Sequence, residues 1–171
     1  RYQSIVDGLG THFDIHTPLQ SVRHAIWEGA DADYAASRGE YLNGLILADL
    51  LQIPFIDPAG GILFDANGNF DENGTQLRFS ALLARHERGV IPGFYGVMPG
   101  GRIKTFSRGG SDITGAIVAR AVGADLYENW TDVSGFLMTD PRIVPNPRTI
   151  SKISYRELRE LSYMGASVLH E

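Results

Sequence analysis

Residues 107–115 read SRGGSDITG, and they bring a guanidinium, two glycines, a hydroxyl and a carboxylate together in succession. Gly109 and Gly110 let the backbone approach a ligand with no Cβ in the way. Ser111 and Asp112 fall where a helix should start, and there unpaired amide groups and the helix dipole favour negative charge. Arg108 offers a planar fork that fits a carboxylate or a phosphate. Together they have the chemistry of an anion site. The plainer alternative is a tight turn in which Ser111 or Asp112 caps the helix and Arg108 is solvated. The stretch is not a G-x-x-x-x-G-K-[ST] phosphate loop, and no G-x-G-x-x-G follows a strand.

A second group lies in NWTDVSGFLMTDPR, residues 129–142. Asp132 follows a strand-like run, and ligands of open α/β sheets sit beyond the carboxyl ends of strands. A carboxylate there suits Mg²⁺ or a ribose, and Arg142 suits phosphate; each aspartate would equally serve an Asx turn. Glu40 pairs with Ser37 as a capping box, which is a sufficient structural role. A functional role would require it to face the same cavity and receive a cation such as a substrate amine. His12, His16, His24, His86 and His170 show no metal-ligand spacing on a common helix. Without a cysteine or a G-x-S-x-G elbow, covalent hydrolase chemistry has no support.

These groups need a scaffold, and 171 residues can bury a substantial core. Apolar residues make up 43% and charged residues 20%, as in a globular chain. The net charge of −5 argues against broad binding to nucleic acid or an anionic membrane. No apolar run is long enough to span a bilayer and no leader pattern is present, so a cytoplasmic setting is expected. Residues 1–36 are weakly patterned, with SVRHAIWEG as one amphipathic candidate in which Val22, Ile26 and Trp27 share a face. Ser37 is expected to open a helix through residue 52, followed by the short apolar runs IPFIDP and ILFD. DANGNFDENG reads as a surface turn, FSALLARHERG as a helix, VIPGFYGVM as a strand, and PGG as the turn into RIKTF. A helix over 111–122 ends at Gly123, ADLYENW supplies a strand, VSGFLMTD is a hairpin or loop, and Ser154 with Glu157 caps a further helix. Helices alternating with short β-rich runs favour an α/β layered sheet.

The blocks SRGE, GFYG, TFSRGGSDITGAIVARAVGA, NWTDVSGFLMTDPR and ISYRELRELSYMGASVLH occur in that order over residues 37–171. In that combination they resemble the catalytic domain of the aspartate kinases, within the amino acid kinase superfamily. The resemblance implies a three-layer α/β/α sandwich with a mostly parallel central sheet. It implies phosphorylation of the side-chain carboxylate of L-aspartate by ATP with Mg²⁺, in a homo-oligomer. Glu40, Arg108, Ser111 and Asp112 would form the aspartate site, with Arg108 and Asp112 closest to catalysis. Gly109, Gly110, Thr131, Asp132 and Arg142 would serve the nucleotide side. No metal ligand is assigned.

The sequence also departs from that pattern. The family's first strand carries K-x-G-G, and neither it nor the serine loop that follows has a counterpart here. The expectation is a partial kinase domain over 1–171, with 1–36 a leading segment and 37–171 the recognisable core. It would lack its first strand and lysine loop, rely on further segments of the same polypeptide, contain no ACT domain, and be inactive in isolation. Ser167 stands where the family has a nucleotide-contacting lysine, and Leu137 where a tyrosine is common. Two rival readings stay open: another acceptor within the superfamily, and a non-catalytic binding or assembly module.

Overall fold

The computed structural model describes residues 1–107, 109–130, 135–140 and 143–163. They fall into two compact units, Arg1–Tyr127 and Glu128–Glu171.

In the first unit, helix α1 spans Tyr2–Leu9, α2 His16–Trp27 and α3 Ala32–Leu51. The leading segment is therefore helical. Val6 of α1, Ile15, and Val22 of α2 are buried with Leu42 and Ile46 of α3 in one apolar cluster. The amphipathic candidate holds only in part, because Val22 is buried while Trp27 is 87% exposed. Helix α3 begins five residues before Ser37, at Ala32: its N-cap is Asp31, whose carboxylate accepts from the Tyr34 amide at 2.9 Å. The Ser37–Glu40 capping box is thereby overturned. Both residues lie inside a helix that an earlier aspartate has already capped.

Helix α4, Glu72–Leu83, also starts ahead of its apolar run, because Asp71 accepts from the Gly74 amide at 2.9 Å. Asn73–Gly74 thus belongs to a first helical turn. Asn67–Gly68 does form the expected surface turn, organised by Asp65, which accepts from the Asn67 and Asn69 amides at 2.8 Å. Strands β1, Tyr95–Val97, and β2, Ile103–Thr105, pair antiparallel with Tyr95 opposite Thr105 and Val97 opposite Ile103. The turn through Pro99–Gly101 closes with the Met98 amide on the Arg102 carbonyl at 2.8 Å. IPFIDP and ILFD contribute single parallel bridges, Phe55 to Val90 and Leu63 to Val97. Helix α5 spans Gly110–Val122 and ends at Gly123, as its sequence implies. Residues 124–130 form no strand, so that expectation fails. A second apolar cluster joins Ile56, Ile62, Phe64, Phe79, Leu83 and Met98, with Phe106, Ile117 and Val118 packed against it.

In the second unit Leu137 bridges Thr149, and helix α6 spans Tyr155–Tyr163. Its capping box is present: Glu157 accepts from the Ser154 amide at 2.9 Å and hydroxyl at 2.7 Å. Gly165, which the sequence offers as a C-terminal stop for this helix, lies outside the described residues. Among the described residues no helix is long and apolar enough to cross a membrane.

Asp33, in the first turn of α3, ties that helix to β2 through the Lys104 ammonium at 2.9 Å and through the Thr105 hydroxyl. Burial pushes the Asp33 carboxyl up, but the Thr105 hydroxyl and Lys104 outweigh it and the net shift is downward. A carboxylate lowered in the folded state stabilises above its unfolded value and loses that contribution as pH falls through the folded one. Asp33→Asn is therefore expected to cost about 1 kcal/mol at neutral pH, as partly exposed pairs do. In urea unfolding, the gap to wild type should close as pH drops below the ordinary value of 3.8. A gap that persists in acid would contradict the linkage.

Candidate active site

Helix α5 opens at Gly109, whose φ of 58° puts it in the left-handed region that glycine adopts without strain. Its N-cap is Gly109 itself, which has no side chain to cap with. The alternative in which Ser111 or Asp112 is the cap therefore fails; both stand inside the first turn. Gly110 is buried, and a Cβ there would sit 2.5 Å from the Phe94 Cβ and 2.9 Å from the Phe106 Cβ. The second glycine is thus required by backbone packing against the GFYG segment.

That segment contains local strain. Phe94 has φ of 63°, a conformation that disfavours bulky side chains. It is held on both sides: its amide donates to the Thr114 hydroxyl at 3.0 Å, and its carbonyl accepts from the Phe106 amide at 2.8 Å. Thr114 in turn donates to the Gly110 carbonyl at 2.7 Å. Gly93 then lies against Ser111, so close that a Cβ would fall 2.8 Å from the Ser111 Oγ.

A cleft of about 580 Å³ opens on this arrangement. Its walls are α3 (Glu40, Asn43, Gly44, Leu47), the run Gly89–Gly93, α5 (Ser111, Thr114, Gly115, Val118) and Tyr127. Glu40 and Ser111, far apart in sequence, therefore line one cavity. Asp112 neighbours it: burial first, and then the Asp112 charge, push the Tyr127 phenol above its ordinary value. Gly115 gives Tyr127 room, since a Cβ there would meet the phenol oxygen at 2.3 Å. The cleft therefore offers a carboxylate from α3 and a hydroxyl from α5, with a second carboxylate beside it. Among the described residues no group of three histidines or acids gathers to hold a metal.

Arg108, Thr131, Asp132 and Arg142 lie outside the described residues, as does Ser167. The structure thus brings together Glu40, Gly109, Gly110, Ser111 and Asp112 of the nine residues singled out. Sequence reasoning passed over Thr114, which carries no motif signal but is 3% exposed and bonds both sides of the clasp. It also passed over Phe94, whose left-handed backbone no local signal announces, since bulky residues disfavour that region.

The sequence matches the amino acid kinase family over residues 4–171. The chain belongs to that family. It is 38% identical over 177 residues to aspartokinase 3 of Bacillus subtilis, covering 99% of this chain and 38% of that protein. It is 46% identical over 81 residues to an aspartokinase of Thermus thermophilus, covering 47% of this chain and 20% of that protein. Among solved structures, the aspartate kinase of Clostridium acetobutylicum superposes with a TM-score of 0.94 at 60% identity, over 100% of this chain and 39% of that one. E. coli aspartokinase III in complex with aspartate and ADP superposes with a TM-score of 0.77 at 31% identity, over 91% of this chain and 39% of that one. The chain thus spans about two fifths of the length of these relatives. The resemblance drawn from the ordered motifs is borne out.

Thr114→Val keeps the shape of the side chain and removes both hydrogen bonds of the clasp. We expect a loss of about 1–3 kcal/mol in urea unfolding, the cost of orphaning the partly buried Phe94 amide. Wild-type stability would mean that Phe94 is held by packing alone.

Proposed function

We propose that this chain supplies the acceptor side of an aspartate kinase, which transfers the terminal phosphoryl group of ATP to the side-chain carboxylate of L-aspartate. The observation that carries the reading is the single cleft shared by Glu40 of SRGE and Ser111 of RGGSD. The similarity to E. coli aspartokinase III in complex with aspartate and ADP supports it. Glu40 receives the substrate ammonium and Ser111 donates to a carboxylate. Arg108, immediately before the Gly109 cap, pairs with a carboxylate in two-pronged fashion, and Asp112 orients the amine or a bound cation.

The reaction asks for no general base, since an aspartate side chain with a reference pKa of about 3.9 is already ionised at neutral pH. The protein's work is to hold that carboxylate in line and to offset the repulsion of two anions. Thr131, Asp132 and Arg142 are proposed to hold the nucleotide. Mg²⁺, when bound with the nucleotide, neutralises phosphate charge, and one or two protein carboxylates suffice for it; Asp112 and Asp132 are of the fitting type. A cytoplasmic setting, where ATP is abundant, is part of the same proposal.

The finer architecture belongs to the same proposal. We take the parallel bridges at Phe55–Val90 and Leu63–Val97 as part of a mostly parallel central sheet in a three-layer α/β/α sandwich, supported by the TM-score of 0.94. Residues 1–171 would be part of one kinase domain, with 37–171 its motif-bearing core. The family's K-x-G-G does not occur in these 171 residues. A homo-oligomer is proposed as well, for which exposed Ile26 and Trp27 on α2 offer an apolar surface.

Three measurements on the full-length protein test this. A panel of carboxylate acceptors followed by ADP release should show turnover with L-aspartate above all others; preference for another acceptor would refute the assignment. Arg108→Lys cannot reproduce a two-pronged contact and should raise the KM for aspartate roughly tenfold, with little change in that for ATP. Asp132→Asn should weaken binding of a non-hydrolysable MgATP analogue in calorimetry. Unchanged affinity would reduce Asp132 to a turn residue.

A further inference from the structure

Arg38 is 7% exposed, yet among the described residues no carboxylate lies within ion-pair distance of it. A buried guanidinium left this way needs another source of stabilisation. It finds three aromatic faces: the guanidinium carbon lies 4.6 Å from the Tyr34 ring centroid, 4.5 Å from Tyr41 and 5.1 Å from Tyr95. Its Nε and Nη2 donate to the Ser37 Oγ at 3.1 and 3.0 Å, and that hydroxyl donates to the Tyr34 carbonyl at 2.7 Å. Tyr95 is anchored in its turn, its hydroxyl donating to Asp57 at 3.1 Å.

Two walls of this cage, Tyr34 and Tyr41, belong to α3 itself. The third, Tyr95, is the first residue of β1 and follows the strained Phe94. Glu40 lies two positions after Arg38, so the two side chains leave the helix about 200° apart. One side of α3 is clamped to β1 while the opposite side carries Glu40 into the cleft. Across that cleft Ser111 rests on Gly93, one residue before Phe94.

We infer that Arg38 is a positioning residue for the phosphoryl acceptor: its aromatic cage fixes the rotation of α3 against β1 and so sets the reach of Glu40 across the cleft toward Ser111. The inference rests on the aspartate kinase reading above. Its mark is selectivity, because a displaced Glu40 weakens the acceptor and leaves the nucleotide alone.

The test is steady-state kinetics of the full-length protein with Arg38→Met, Arg38→Lys and Tyr34→Leu, with circular dichroism of each as a fold control. Arg38→Met should raise the KM for aspartate roughly tenfold, with kcat and the KM for ATP changed less than about threefold. Arg38→Lys keeps the charge but loses the planar stack, so it should fall between Arg38→Met and wild type. Tyr34→Leu removes one wall and should give a smaller shift of the same kind. If Arg38→Met does not fold, the same split in the other two variants decides the matter. Folded variants with unchanged KM for aspartate, or with both KM values raised together, would overturn the positioning role while aspartate turnover by wild type upheld the kinase reading. A wild-type protein that neither binds nor phosphorylates aspartate would overturn both.

Discussion

The left-handed turn at Phe94 is the constraint from which the cleft takes its form. A bulky residue resists that conformation, and strain of this kind costs about 1–3 kcal/mol. It persists because Thr114 and Phe106 bond the Phe94 amide and carbonyl, and because Gly110 leaves space for its Cβ. In one turn the chain thereby presses Gly93 onto Ser111 and sends Tyr95 into the core at 0% exposure. Cleft wall and core wall stand two residues apart, on either side of Phe94. Loss of the turn would disturb both at once.

The glycines of SRGGSD have separate tasks within that arrangement. Gly109 supplies a backbone angle, whereas Gly110 supplies an absence of volume. The functional reading and the structural one therefore do not compete at this motif. A helix start held against a neighbouring loop by backbone proximity is already open on its outer side, where Ser111 faces the cleft.

Much of this was readable in the sequence wherever the signal was local. The Asp65 turn, the Pro99–Gly101 reversal, the Gly123 stop and the Ser154–Glu157 cap depend on neighbouring residues, and each is present. The errors came where two valid local signals competed. Ser37 and Glu40 satisfy the capping spacing, but Asp31 caps first and the helix runs through them. Asp71 does the same for α4. ADLYENW has the composition of a strand, yet residues 124–130 form none, because composition alone does not supply the neighbouring edge on which a strand pairs. Tertiary pairing was the missing information in the candidate site too. Nothing local tells that Thr114 would bond Phe94, or that Tyr34, Arg38 and Tyr41, one helical turn apart, would close around a charge with Tyr95.

Helix α3 keeps its two duties on different sides. Tyr34, Arg38 and Leu42 face the interior, while Glu40, Asn43 and Leu47 line the cleft. Apart from Gly44, which is buried and also lines the cleft, the two sets share no position, so the exposed cleft side can drift without altering the packing that holds the helix. Substitutions at 40, 43 and 47, all exposed positions, can therefore change the lining of the cleft while staying nearly neutral for folding. Such a division lets a lineage explore chemistry while its stability stays under separate selection.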